Sequence, residues 1–199
     1  MMKKMLKQNK GFSLVELLVA ILIMAVIAGT AIMLFNGVLG SSREGADKET
    51  AENIKRAILT YMSMTNDIDL DCLGVGVGVD NSNSSSKDLI AKLCCTIKIE
   101  DGDSTSYKKK VTFTKPALGK VDGDIDEVKS GDASDINGTY GPFLDASKEL
   151  TPKTPDTQGW YIQIDKDAQV VTVEATKEAG DCVVKFVNSS TSPSPTGTP

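Results

Sequence analysis

"KGFSLVELLVAILIMAVIAG", Lys10 to Gly29, decides how this chain is built. It opens a run of 28 residues, Phe12 to Leu39, in which Glu16 is the only charged side chain. As a helix the run is roughly 42 Å long, more than the roughly 30 Å hydrocarbon core of a bilayer needs, so it can span with some tilt. Lys3, Lys4, Lys7 and Lys10 precede it. The positive-inside rule therefore keeps the N-terminus in the cytoplasm and sends the C-terminal bulk outward. A cleavable secretory signal fits poorly, because its apolar stretch is about 7 to 15 residues long and needs no acid. An ordinary anchor explains the length but leaves Glu16 as an unexplained burden of roughly 2.5 to 3.5 kcal/mol at full depth.

The combination of Lys10, Gly11, Phe12, Glu16 and the long Leu/Val/Ile/Ala run resembles the N-terminus of type IV pilins and their relatives. The resemblance covers residues 10 to about 35. It implies cleavage by a prepilin peptidase between Gly11 and Phe12, followed by N-methylation of the new Phe12 amine. Glu16 then acquires a physical purpose. The cleaved Phe12 amine is positive, and the start of its helix adds about half a unit of positive charge. A carboxylate one turn along is attracted to that charge, on its own chain or, as the resemblance implies, on a neighbouring subunit. In low dielectric an unpaired carboxylate is far more costly than a paired one, so the pair sets axial register during assembly.

Outside the leader and Glu16, 18 basic residues stand against 26 acidic ones, a balance of −8. Such a surface repels phosphate backbones, and no nucleic-acid partner is expected. The chain has no histidine, which removes the commonest general base and metal ligand. No catalytic residues, no cofactor and no metal site are expected, so the chain reads as something other than an enzyme.

Beyond the apolar run, Ala46, Glu49, Thr50, Asn53, Ile54, Ala57, Ile58, Tyr61 and Met62 keep a 3.6-residue stripe, while Glu44, Asp47, Lys48, Glu52, Lys55 and Arg56 fall largely on the other face. Glu44 with Lys48 and Glu52 with Arg56 make favourable i, i+4 pairs. The first proline is Pro116, so a near-continuous helix is predicted from about Ser13 to Thr65. Gly29, Gly37 and Gly40 weaken it by about 1 kcal/mol each and predict local unwinding. "DCLGVGVGVDNSNSSS", Asp71 to Ser86, reads as a mobile loop, and Ser86 to Leu93 as a short helix. Residues 95 to 114 alternate around an Asp/Gly/Ser turn as one hairpin, and Gly159 to Val187 hold three more strands. The fold class is therefore α+β: a long N-terminal helix packed on a small sheet of four or five antiparallel strands, with Trp160 and Phe186 in the core. The expected organisation is leader 1–11, membrane and filament-core helix 12–40, amphipathic half 41–66, globular head 67–187 and disordered tail 188–199. The head order looks like that of pilins, more loosely than the N-terminus does.

Cys72, Cys94, Cys95 and Cys182 all fall on the exported side, where an even number predicts two disulfides. Joining the adjacent Cys94 and Cys95 would force a strained ring, which leaves Cys72 and Cys182 each paired to one of them. Asp122, Asp124 and Asp126 are similar to the start of a calcium loop, but Glu127 stands where glycine is needed and Ala133 where glutamate is. Calcium is thus a secondary candidate. Lys108 to Lys110 read as a solvated strand edge.

These features predict a type IV pilus subunit: a single-pass membrane protein before assembly and part of an extracellular surface filament after it. Its partners would be further copies of itself, the prepilin peptidase, and, as the resemblance implies, an assembly ATPase and membrane platform proteins. A pseudopilin of a type II secretion or competence (DNA-uptake) machine shares the motif and is the first alternative. A membrane-anchored, adhesin-like binding module is the second.

Overall fold

The computed structural model describes residues 13–75, 85–104, 107–117, 128–130 and 136–187. The chain divides into two units, Met1–Ser42 and Arg43–Pro199. The long helix α1 (Leu14–Thr65) contributes to both and runs without a break through Gly29, Gly37 and Gly40. The unwinding expected at those glycines is therefore not a property of the lone chain.

In the first unit the large apolar side chains of α1, from Leu14 to Val38, all face solvent. In the second unit α1 buries Ile54, Ala57, Ile58, Tyr61, Met62 and Thr65, the apolar half of the predicted stripe continued by one turn, while Ala46, Thr50 and Asn53 are half-buried and Glu49 is exposed. Glu44 and Lys48 form the expected exposed pair at 2.9 Å, whereas Glu52 takes Lys55 three residues on.

The head follows as α2 (Ser86–Leu93) and seven strands: β1 (Thr96–Ser104), β2 (Tyr107–Thr114), β3 (Val128–Ser130), β4 (Gly138–Tyr140), β5 (Gly159–Asp165), β6 (Val170–Thr176) and β7 (Val184–Val187). They form two sheets, with strand orders β3-β2-β1-β4 and β6-β5-β7. This corrects the expectation of one antiparallel sheet. The first sheet is antiparallel throughout, but β7 runs parallel to β5 in the second. α2 touches both sheets, through β1 and β5. Its start is capped by the Ser85 hydroxyl, which accepts from the Asp88 N–H, and Leu89, Ile90 and Leu93 face inward.

One core joins the α1 stripe to both sheets and α2. Tyr61 meets Phe143 edge-on, with ring centroids 5.7 Å apart. Trp160 is buried as predicted, and its indole N–H donates to the Leu150 carbonyl at 2.5 Å. Phe186 is half-buried against the core under the Lys166 ammonium, 4.8 Å from the ring centre.

The stretch after α1 departs from expectation. Asp71–Leu73 is a turn of 3-10 helix with Cys72 and Leu73 buried, and Val75 is buried as well. The remainder of the predicted mobile loop, residues 76–84, lies outside the described residues, as do the candidate calcium ligands Asp122, Asp124 and Asp126. Asp67 organises the turn. Its carboxylate accepts from the Tyr61 hydroxyl at 2.7 Å and from the Asp71 and Cys72 N–H groups at 3.0 Å each. Burial raises the Asp67 carboxyl above its ordinary value, and these donors only partly oppose that.

Asp47, placed on the polar face by its neighbours, is buried. The loop after β4 brings it donors: the Lys153 N–H at 2.6 Å, the Thr154 N–H at 2.8 Å and the Thr154 hydroxyl. Burial acts to raise the Asp47 carboxyl, but the Thr154 hydroxyl, the two N–H groups and the Lys153 charge together hold it below 3.8. A depressed folded value means that Asp47 stabilises the fold above about pH 4 and loses that contribution as pH falls through the folded value. Asp47→Ala leaves the loop donors without their acceptor and should destabilise the fold by about 2 kcal/mol near neutral pH. Thermal melts of the full chain in detergent should show a lower midpoint for the variant, with the difference shrinking in acid. An equal difference at all pH values would remove the ionised carboxylate from the account.

Candidate functional site

The N-terminal segment presents its chemistry on a bare helix. Ser13 precedes α1, its carbonyl accepts from the Leu17 N–H at 3.2 Å, and Glu16 is the acidic residue of the first turn. Glu16 is exposed, and so are the apolar residues around it: Leu14, Val15, Leu17 and Leu18 are between 51% and 80% accessible. Gly11 and Phe12, the expected cleavage and methylation positions, lie outside the described residues.

Each large aliphatic side chain left in water forgoes roughly 1.5 to 3 kcal/mol of burial, so a surface that is apolar on every side of a helix belongs in lipid or against other apolar helices. By length and composition this helix can cross a membrane. The hydroxyl of Thr30 bonds back to the carbonyls of Ile27 at 3.0 Å and Val26 at 3.3 Å, so it adds no unsatisfied donor to the apolar surface.

In the head, all four cysteines are thiols in this structure. Cys72 sits in the 3-10 turn, Cys94 and Cys95 end α2, and Cys182 follows the short turn Ala179–Asp181. Cys94 and Cys182 both line a groove of about 1230 Å³ bounded also by Ile90, Trp160 and the segment 146–152. Gly159 is a glycine because the Cys182 thiol lies over it: a methyl carbon there would stand 2.7 Å from Sγ. Among the described residues no group of three His, Cys, Asp or Glu side chains is placed to hold a metal ion.

The lysine triplet is not a solvated edge. β3 covers that side of β2, and Lys109 is only 4% exposed. Its ammonium lies 2.7 Å from Asp101 and 3.1 Å from Asn137. Lys92, on α2, is also buried, and it donates to the Leu73 carbonyl at 2.9 Å beneath the Phe113 ring. Sequence reasoning missed both. Lys109 sits at every second residue from the apolar Val111 and Phe113, so strand alternation offered a signal for it.

Residues 6–32 match the prokaryotic N-terminal methylation motif, the class III signal of type IV pilins and pseudopilins. The motif supports a type IV pilin-like or pseudopilin protein and points to a structural subunit. It implies processing by a prepilin peptidase and filament assembly, and with the apolar α1 it is consistent with membrane anchoring beforehand. A long helix followed by small antiparallel and mixed sheets is the matching pilin-like arrangement. No curated protein and no solved structure matches the chain.

Burial pushes the Cys72 thiol up to about 12, with the Asp67 charge adding, and the Cys94 thiol up to about 11. Thiols so far from ionisation are poor nucleophiles. In mildly reduced, folded protein near pH 8, Cys72 and Cys94 should therefore resist iodoacetamide and react only after unfolding. Peptide mapping of the alkylated sites checks this, and rapid labelling of Cys72 in the folded state would contradict its placement.

Proposed function

We propose that this chain is a subunit of a type IV pilus, cleaved between Gly11 and Phe12, N-methylated on Phe12 and polymerised into a surface filament. The observation that carries the reading is the helix segment Leu14–Val38, predominantly apolar on all sides, with Glu16 in its first turn as its only charged side chain. Lipid satisfies that surface in the unassembled subunit. In a filament, neighbouring helices replace the lipid through close packing, and association rests on packing and on the few polar contacts available.

Glu16 supplies the polar contact. Its carboxylate meets the methylated Phe12 amine of an adjacent subunit, and only a subunit in the correct axial position satisfies both charges. The prepilin peptidase, an assembly ATPase and platform proteins are the partners in this reading. Retention of the acid also favours a subunit of the filament body.

Mass spectrometry of filaments sheared from cells should find the main protein beginning at Phe12 with one added methyl group. Processed protein confined to the membrane fraction would favour a pseudopilin, and a retained leader would leave a plain anchored protein. Glu16→Ala should leave membrane insertion intact and reduce sheared filaments at least about tenfold, the loss expected when a contact of about 1.4 kcal/mol or more is removed. Normal filament yield from that variant would end the docking role.

A further inference from the structure

In the four-stranded sheet three polar side chains converge from three different elements. Asp101 on β1 and Lys109 on β2 stand directly opposite one another in register. Asn137 immediately precedes β4, which pairs with the other edge of β1 through Ile99 and Gly138. Lys109 Nζ donates to Asp101 Oδ1 at 2.7 Å and to Asn137 Oδ1 at 3.1 Å, and Asn137 Nδ2 donates to Asp101 Oδ2 at 2.9 Å. The ring of contacts is closed. Lys109 is buried while Asp101 and Asn137 are exposed.

This arrangement holds an amine, a carboxamide and a carboxylate in the roles that amide exchange requires. The amine nitrogen is the nucleophile. The amine lies 3.1 Å from the carboxamide oxygen, which leaves the carbonyl carbon about 3.3 to 4.3 Å away, so a small rotation of the lysine from the oxygen lone pair toward the carbonyl face reaches the roughly 3 to 3.5 Å approach at which bonds form. The carboxylate touches both the nitrogen that must lose protons and the nitrogen that must gain one, as an acid–base relay should. The hydrogen bonds from Lys109 and Asn137, with the Lys109 charge, hold the Asp101 carboxyl below its ordinary value, so it starts ionised, with a lone pair directed at each nitrogen.

We propose that Lys109 and Asn137 join spontaneously through an isopeptide bond, with Asp101 as the proton relay. Asp101 Oδ1 takes a proton from the Lys109 ammonium, and the freed lone pair attacks Cγ of Asn137. The Nζ–Cγ bond forms as the carbonyl π electrons move onto Oδ1. The adduct collapses, Oδ1 regains its double bond and the Cγ–Nδ2 bond breaks. Asp101 passes one lysine proton to Nδ2, which leaves as ammonia, and a second proton follows to give ammonium in the solvent. One hydrogen stays on the new amide, Asp101 returns to its carboxylate, and nothing is oxidised or reduced. The driving force is local: a buried ammonium is replaced by a neutral N–H still bonded to Asp101.

The link straddles β1. It ties β2 to the residue before β4 and closes a covalent ring through residues 109–137 that constrains the unfolded chain, as a disulfide does, in a form that reductants do not open.

Full-length protein, reduced so that every cysteine counts as a thiol, should have an intact mass lower than the processed linear chain by one ammonia. Proteolysis should then yield a branched peptide containing both Lys109 and Asn137. Asp101→Asn should accumulate the linear form, and Asn137→Asp should form the same branch with loss of water. Linear wild-type mass with the two residues in separate peptides overturns the proposal and leaves a non-covalent clamp. Loss of ammonia without a branch also overturns it, because Asn137 would then have closed on the backbone nitrogen of Gly138. Since the wild-type mass and map decide the matter, a misfolded variant does not obscure the answer.

Discussion

Where α1 ends, the chain must reverse direction against the core, and the buried Asp67 carboxylate supplies the acceptors that the reversal needs. The Tyr61 hydroxyl, one and a half turns back, and the N–H groups of Asp71 and Cys72 ahead of it all converge on that group. The Thr65 hydroxyl closes the helix by donating to the Tyr61 carbonyl and accepting from the Asp67 N–H. Asn66 takes the left-handed conformation that asparagine tolerates at a helix end. Leu70 adopts it too, an unusual state for that residue, held by complete burial of its side chain. A hydrogen bond to a charged acceptor contributes about 1.5 to 3 kcal/mol, and leaving these donors unmet would carry its own penalty, so one acid determines where the head begins.

From this turn the two sheets are tied in. The 3-10 turn Asp71–Leu73 touches β2 and β3, and the Leu73 carbonyl receives the Lys92 ammonium from α2. Asp69 pairs with Lys166 in the β5–β6 turn, and the same ammonium covers Phe186 of β7. Charged side chains in this head, the buried Lys92 and the partly exposed Asp69–Lys166 pair, therefore join elements that hydrophobic packing alone would leave free to slide. A misplaced element would strand an ammonium or a carboxylate, which is a larger penalty than a misplaced methyl group.

Elements with a local period were legible in the sequence. The stripe from Ile54 to Met62, the Ser-capped α2, the β1–β2 hairpin and the alternation of Trp160, Ile162 and Ile164 each announce themselves within about ten residues. β3 and β4, at three residues each, are too short to carry a period, and they become strands only because β1 and β2 offer them an edge. The parallel β7 has the same origin, since its pairing with β5 is fixed by chain reversal through 177–183 and not by its own pattern. Asp47 was misread because its donors lie 106 and 107 residues away. Lys109 was misread because a run of three lysines looks solvated until β3 is known to lie beside it. In the N-terminal segment the specificity of Gly11, Phe12 and Glu16 is one of motif, and only Glu16 falls among the described residues.

The glycines of the apolar segment carry the reasoning one step beyond the lone chain. A methyl carbon added at Gly29, Gly37 or Gly40 meets nothing within 4 Å, and α1 is helical through all three. Alanine would raise helix stability at each position by about 1 kcal/mol without a clash, so nothing in the isolated subunit accounts for glycine there. In the proposed filament the advantage would lie in packing, either close approach of another backbone or local opening of the helix once packed. The same holds for the exposed carboxylate of Glu16 and for the bare aliphatic surface around it. Three features that weaken the single chain share one segment, and in the proposed filament a single partner surface, made of other helices of this kind, would give all three a physical reason.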